Sequence, residues 1–203
     1  MAFRGFKERA LRALGRDPVQ AAAVRAYTAL VEQARLPVLY EEPPRGFGVP
    51  DTVEGRFDLV TLHVFLLLRR LKDAPERNAA RGGVDADAFA RHVFDVMFRD
   101  MDDSLREMGV GDMKVGKKVR GLAEEFYGRV GAYDGAMADG QRDAGVLAPA
   151  LARNVFADEA APAALDLARY AHEVADALGR APIEEITAGR LTLPSPARTR
   201  EAA

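Results

Sequence analysis

Between Thr52 and Lys72 the chain is apolar on nearly every side of a helix, and this one stretch restricts what the rest can fold into. Asp51, with Glu54 three residues later, has the spacing of a capping box in its carboxylate form. Phe57, Leu59, Val60, Leu62, Val64, Phe65, Leu66, Leu67, Leu68 and Leu71 then cover the circumference. A helix without a polar face has to be surrounded. Its longest apolar run, Leu59 to Leu68, is ten residues and includes Thr61 and His63, against about 20 for a bilayer span. The stretch is expected to be the central core helix of a globular domain, with other helices around it.

Those neighbours announce themselves by caps and stripes. Asp17-Pro18 reads as an N-cap with proline at the first helical position, and Val19, Ala23, Tyr27, Leu30 and Ala34 keep helical spacing until Leu36-Pro37. The proline-rich Pro37 to Pro50 is expected to be a stiff ordered loop or a linker, with a short extended piece at Val38-Leu39-Tyr40. Asp85 should cap a helix to Met108, with Phe89, Val93, Met97, Met101, Leu105 and Met108 in one stripe and Gly109 as its stop. From about Lys114 to Ala138, Val115, Val119, Leu122, Phe126, Val130, Tyr133 and Met137 mark the next helix. Pro149 should open a short helix through Leu151 and Val155, and Pro162 another through Ala164, Leu167, Ala171, Val174 and Leu178. A last turn falls at Ile183 to Thr187.

Strands are nearly absent, so the expected fold class is all-α: a single globular domain of about six to eight helices over residues 17–193. Residues 194–203 should be a disordered tail, because they offer little to bury. Residues 1–16 hold five basic residues against Glu8, with Phe3, Phe6, Ala10 and Leu14 at helical spacing. This basic amphipathic segment could rest on an anionic membrane through Phe3, Arg4, Phe6, Lys7 and Arg12, touch a ribosomal surface, or dock on its own domain.

Composition removes most enzyme chemistry. There is no cysteine, hence no disulfide, thiolate nucleophile or thiolate metal site, which fits a reducing compartment. Only Ser104 and Ser195 could serve as serine nucleophiles. His63, His92 and His172 stand singly, so no metal pair is expected, and His63 reads as a buried hydrogen-bonding histidine. The carboxylates Asp95, Asp100, Asp102, Asp103 and Glu107 read as a solvated, salt-bridged face. Gly111 to Lys118 imitates a phosphate loop, but Lys118 stands where magnesium would need Ser or Thr. No enzyme activity, no cofactor and no metal are expected. The net charge of -2 gives no overall field for nucleic acid, so DNA is not an expected partner and any polyanion site must be local.

Three features remain for binding. Arg91, His92, Asp95, Arg99, Asp102, Asp103 and Arg106 collect on the polar face opposite the Phe89 stripe. Lys114, Lys117 and Lys118, with Arg120, gather three of the chain's five lysines at a helix start, where cations oppose the helix dipole. Gly121, Gly128 and Gly135 recur every seven residues on one helix face, which suggests that another backbone approaches closely there. Met97, Met101 and Met108 could also border an adaptable apolar groove, or simply be core.

Asp51-Thr-Val-Glu-Gly-Arg-Phe-Asp58, Leu62-His63 and Leu66-Leu-Leu-Arg-Arg-Leu71 resemble the ubiquinol–cytochrome c chaperone family, which assists assembly of the cytochrome bc1 complex. So do Phe94-Asp-Val-Met-Phe-Arg-Asp-Met-Asp-Asp103, Leu105 to Asp112, Val115-Gly-Lys-Lys118 and Phe126-Tyr-Gly-Arg129. The resemblance implies a non-enzymatic helical assembly factor whose client is newly made cytochrome b. It further implies a small partner protein and the ribosome near its tunnel exit as partners, and a bacterial version in the cytoplasm, at the inner face of the cytoplasmic membrane. By this analogy Asp102, Asp103, Lys114, Lys117 and Lys118 lie near the client- or partner-binding surface, to which the polar face and the basic cluster add Asp95, Arg99, Arg106 and Arg120. The alternatives are an RNA- or ribosome-binding helical module built on Lys114 to Arg120, and a peripheral membrane scaffold resting on residues 1–16. The RNA reading lacks an exposed aromatic for base stacking, since Phe126 and Tyr133 sit in the apolar stripe.

Overall fold

Local caps set the helix boundaries in the computed structural model, which describes residues 17–74 and 84–197. The segment 1–16, with Phe3, Arg4, Phe6, Lys7 and Arg12, and the end of the tail from residue 198 lie outside the described residues. The described residues form seven α-helices and no strand. These are α1 (Pro18–Ala34), α2 (Val53–Lys72), α3 (Ala86–Glu107), α4 (Asp112–Ala136), α5 (Ala144–Leu151), α6 (Ala163–Arg180) and α7 (Ile183–Thr187).

Asp17 caps α1 by accepting from the Val19 amide at 2.9 Å, and Asp85 caps α3 by accepting from Asp87. Gly109 ends α3 with φ +81. The Val110 amide reaches back to Leu105 and the Gly109 amide to Arg106, the paired bonds of a Schellman stop. At α2 the capping expectation is off by one residue. Thr52, not Asp51, accepts from the Gly55 amide at 3.0 Å, while Asp51 forks onto Arg56. The helix expected to open at Pro149 instead starts at Ala144 under an Asp143 cap and carries Pro149 inside it. It runs on into a π-helical turn, Ala152–Phe156, closed by Ala157 at φ 50. The Pro37–Pro50 loop is ordered, but its expected extended piece is a 3-10 turn at Pro37–Leu39. Amides of Phe47, Gly48 and Val49 bond back to Val38, Glu41 and Leu39. Gly46 is required there: a Cβ would sit 2.3 Å from two backbone oxygens.

The chain divides into two compact units. The first takes residues 1–29, 71–127 and 181–191. Its core holds Tyr27, Phe89, Val93, Met97 and Ile186, and α7 packs on α3. Gly189 closes this unit at φ +75, where a Cβ would meet the Ala22 carbonyl at 2.3 Å. The second takes residues 30–70, 128–180 and 192–203. Here α2 is the core helix that its sequence demands, with every residue from Leu59 to Leu67 buried, and α5 lies along α6. The start of the tail is held: Gln33 Nε2 donates to the Pro194 carbonyl at 2.6 Å, and Pro196 is buried. No described helix is long and apolar enough to cross a membrane.

Candidate interaction surface

Helix α3 and α4 as far as Tyr127 form a hairpin within the first unit, joined by Met108 to Gly111. Four rings lock it: Phe94 lies 5.6 Å from Phe126 and 5.8 Å from Tyr127, and Phe98 lies 6.3 Å from Phe126. Phe126 is buried, whereas Tyr127 is 60% exposed. This corrects one sequence expectation, because an aromatic is after all available at the surface. The signal was its position, about 100° from Phe126 and so off the apolar stripe.

The polar face of α3 emerges as expected. Asp95, Arg99 and Arg106 are exposed, and Asp102 and Asp103 are half-buried. Arg106 donates to Asp102 at 2.6 Å and also to Asp112 in the first turn of α4, so the two helices share one guanidinium. Asp100 departs from this face. It is buried and accepts from the Tyr27 hydroxyl at 2.8 Å. The sequence carried that signal, since Asp100 falls about 20° from Phe89 at 100° per residue. Met97 and Met101 are likewise buried, so the methionine stripe is core and borders no open groove there. The exposed methionines are Met108 and Met113.

Lys114, Lys117, Lys118 and Arg120 are all exposed and pair with no described residue. Further along α4, an added Cβ on Gly121, Gly128 or Gly135 would meet nothing within 4 Å. The close approach expected from their spacing is therefore not made by any described part of this chain. Each glycine costs a helix about 1 kcal/mol relative to alanine. Gly121→Ala and Gly128→Ala should each stabilise the protein by about that amount in urea denaturation. Loss of function in these more stable variants would mark the face as an approach surface; retained function would leave the glycines without a role.

In the second unit, two of the sequence blocks meet. Asp58 in α2 and Arg129 in α4 form an ion pair at 2.7 Å, with side chains 6% and 17% exposed, and Arg129 lies 5.4 Å over the Phe57 ring. The pair was not foreseen, since 71 positions of sequence separate its members. His63 is buried as expected. Its Nδ1 donates to the Leu59 carbonyl at 2.7 Å, and its Nε2 accepts from the Tyr170 hydroxyl at 2.8 Å. Burial lowers its pKa to about 4.

Comparison with known proteins adds what geometry alone leaves open. A family profile described as Ubiquinol-cytochrome C chaperone matches residues 45–193, most of both units. This chain belongs to that family. Over 138 residues it is 28% identical to ubiquinol-cytochrome-c reductase complex assembly factor 1 of Xenopus laevis, spanning 68% of this chain and 62% of that protein's length. The crystal structure of the Cbp3 homolog from Brucella abortus superposes with a TM-score of 0.72 at 34% identity, covering 96% of this chain and 97% of that one. The family profile takes in the whole α3–α4 hairpin and the Asp58–Arg129 pair.

Proposed function

We propose that this ubiquinol–cytochrome c chaperone family member is a non-enzymatic assembly chaperone of the ubiquinol–cytochrome c reductase (bc1) complex, binding newly made cytochrome b. The observation that carries the reading is the family match across residues 45–193. The relative from Xenopus laevis is named as an assembly factor for the same complex. The binding surface proposed is the hairpin of the first unit: Asp95, Arg99, Asp102, Asp103 and Arg106 from α3, with Lys114, Lys117, Lys118 and Arg120 from α4. Two properties support it. On α3, Arg106 is already paired with Asp102 and reaches Asp112 of α4, and the α4 cations are exposed without partners among the described residues. Opposite charges on a client or small partner subunit would fix register there, as charge complementarity does at interfaces generally. The protein would act in the bacterial cytoplasm, at the inner face of the membrane that receives its client.

The test is the reduced-minus-oxidised haem spectrum of membranes from the source organism lacking this gene. The bc1 cytochromes should be lost and restored by the wild-type gene, but not by a copy carrying Lys114→Glu, Lys117→Glu and Lys118→Glu. Glutamate near a helix N-terminus favours the helix, so the altered protein should still fold, which circular dichroism checks. An unchanged spectrum in the deletion strain would remove the assembly reading. Full rescue by the charge-reversed copy would remove this surface from it. An RNA-binding module gains one exposed aromatic in Tyr127, but single-strand recognition stacks successive bases on several rings.

A further inference from the structure

The apex of the α3–α4 hairpin combines features that neither the polar face nor the core explains. Met113, in the first turn of α4, is 99% exposed, and Met108, at the end of α3, is 54% exposed. Only four residues, Met108 to Gly111, separate the two helices, so both methionines lie at one short turn. At 100° per residue, Lys117 and Arg120 fall within about 40° of Met113 on α4, while Lys114 and Lys118 lie about 100° and 140° round the helix from it. These four cations pair with no described residue. The nearest carboxylate in sequence, Asp112, is taken by Arg106, so it does not cancel them.

We propose that this apex is a lipid-contact tip that rests on an anionic bilayer, with Met108 and Met113 entering the headgroup–acyl boundary and Lys114, Lys117, Lys118 and Arg120 against lipid phosphates. Charge complementarity selects the occupant. Lys114, in the first turn of α4, is disfavoured by the helix dipole, and lipid phosphates reverse that sign, because the lysine and the helix end then both face negative charge. The methionines select lipid among polyanions. RNA phosphates would satisfy the cations and leave both thioethers in water, whereas the boundary of a bilayer takes an apolar apex ringed by basic side chains whose stems snorkel outward. This contact is separate from the segment 1–16, and it competes with the client for the α4 cations: where they face lipid, the polar face of α3 is what remains for the client.

The chain has no cysteine, so a single probe can be placed on the full-length protein. A polarity-sensitive dye on Met113→Cys should shift to the blue with vesicles of phosphatidylcholine mixed with phosphatidylglycerol. It should not shift with pure phosphatidylcholine, with polyphosphate or with single-stranded RNA. The same dye on Val146→Cys, in the second unit, should not move. In vesicle co-sedimentation, Lys117→Glu with Lys118→Glu should weaken partitioning by at least about 25-fold, since losing each basic residue costs about fivefold and each added carboxylate is repelled as well. Met108→Ser with Met113→Ser should weaken it at unchanged charge, and salt that shortens the Debye length to about 3 Å should abolish it. No blue shift at position 113, or partitioning unaffected by either double substitution, overturns the proposal. A response to RNA without one to vesicles also overturns it and reassigns the tip. Because these readouts use purified protein and vesicles, they fail independently of the bc1 spectrum that tests the chaperone reading.

Discussion

Arg129→Ala is expected to destabilise the protein by about 3–5 kcal/mol, the cost of removing one partner from a buried ion pair. Its guanidinium neutralises Asp58 at 2.7 Å and covers the Phe57 ring. Truncation removes the Arg129 guanidinium from a carboxylate 6% exposed and uncovers an aromatic face at the same time. Urea denaturation followed by circular dichroism measures the loss. Replacing both members, Asp58→Leu with Arg129→Met, should recover most of it, since apolar side chains of similar volume substitute well for a buried pair. A loss below about 1 kcal/mol, the range of exposed pairs, would mean that water reaches Asp58 and that the pair is a surface feature. The result also bears on function. Arg129 follows Tyr127 by two positions on α4, so the pair anchors the helix that carries the exposed ring and the basic tip.

What the sequence made legible was local. Asp17, Asp85 and Gly109 each act on backbone groups within a few residues, and a cap read from spacing needs no knowledge of the rest of the fold. The all-apolar stretch after Thr52 could only be core, and it is. The failures have equally specific causes. Asp51 and Thr52 are both capping residues, and the choice between them was made by Arg56, which draws Asp51 into a fork. Pro149 reads as a helix start because proline favours that position. Here Asp143 caps six positions earlier, and the helix tolerates the proline in its interior. At the candidate surface, the polar face of α3 and the exposed cations followed from periodicity and composition. The Asp58–Arg129 pair did not, because it depends on which helix lies opposite. Asp100 shows the limit well: periodicity put it on the buried stripe, but only the Tyr27 hydroxyl explains why a carboxylate is tolerated there.

Acidification from pH 6.5 towards 4 should cost about 2–3 kcal/mol of stability through His63 alone. The neutral ring is held in one tautomer. Its Nδ1–H donates to Leu59, and its Nε2 accepts from Tyr170, whose oxygen in turn accepts from Gln33 at 2.8 Å. Gln33 also donates to Pro194, so the chain of bonds runs from the core helix to the start of the tail. A proton on Nε2 would face the Tyr170 hydroxyl and leave that hydroxyl hydrogen without its acceptor, in a site closed to water. Burial accordingly lowers the pKa from 6.5 to about 4. The unfolded chain then binds more protons than the folded one between these values, so stability rises with pH there. It is fully present above 6.5, and it falls as the pH drops towards 4, at roughly 1.4 kcal/mol per unit of difference. His172 adds in the same direction, its pKa lowered by burial and by Arg142. His63→Gln preserves a donor and an acceptor but cannot titrate, so the difference between urea midpoints near pH 7 and at about pH 4.5 should shrink by that amount. An unchanged difference would show that the ring is not held neutral in the folded protein. The bond chain from Leu59 to Pro194 would then not be the single-tautomer relay that its geometry describes.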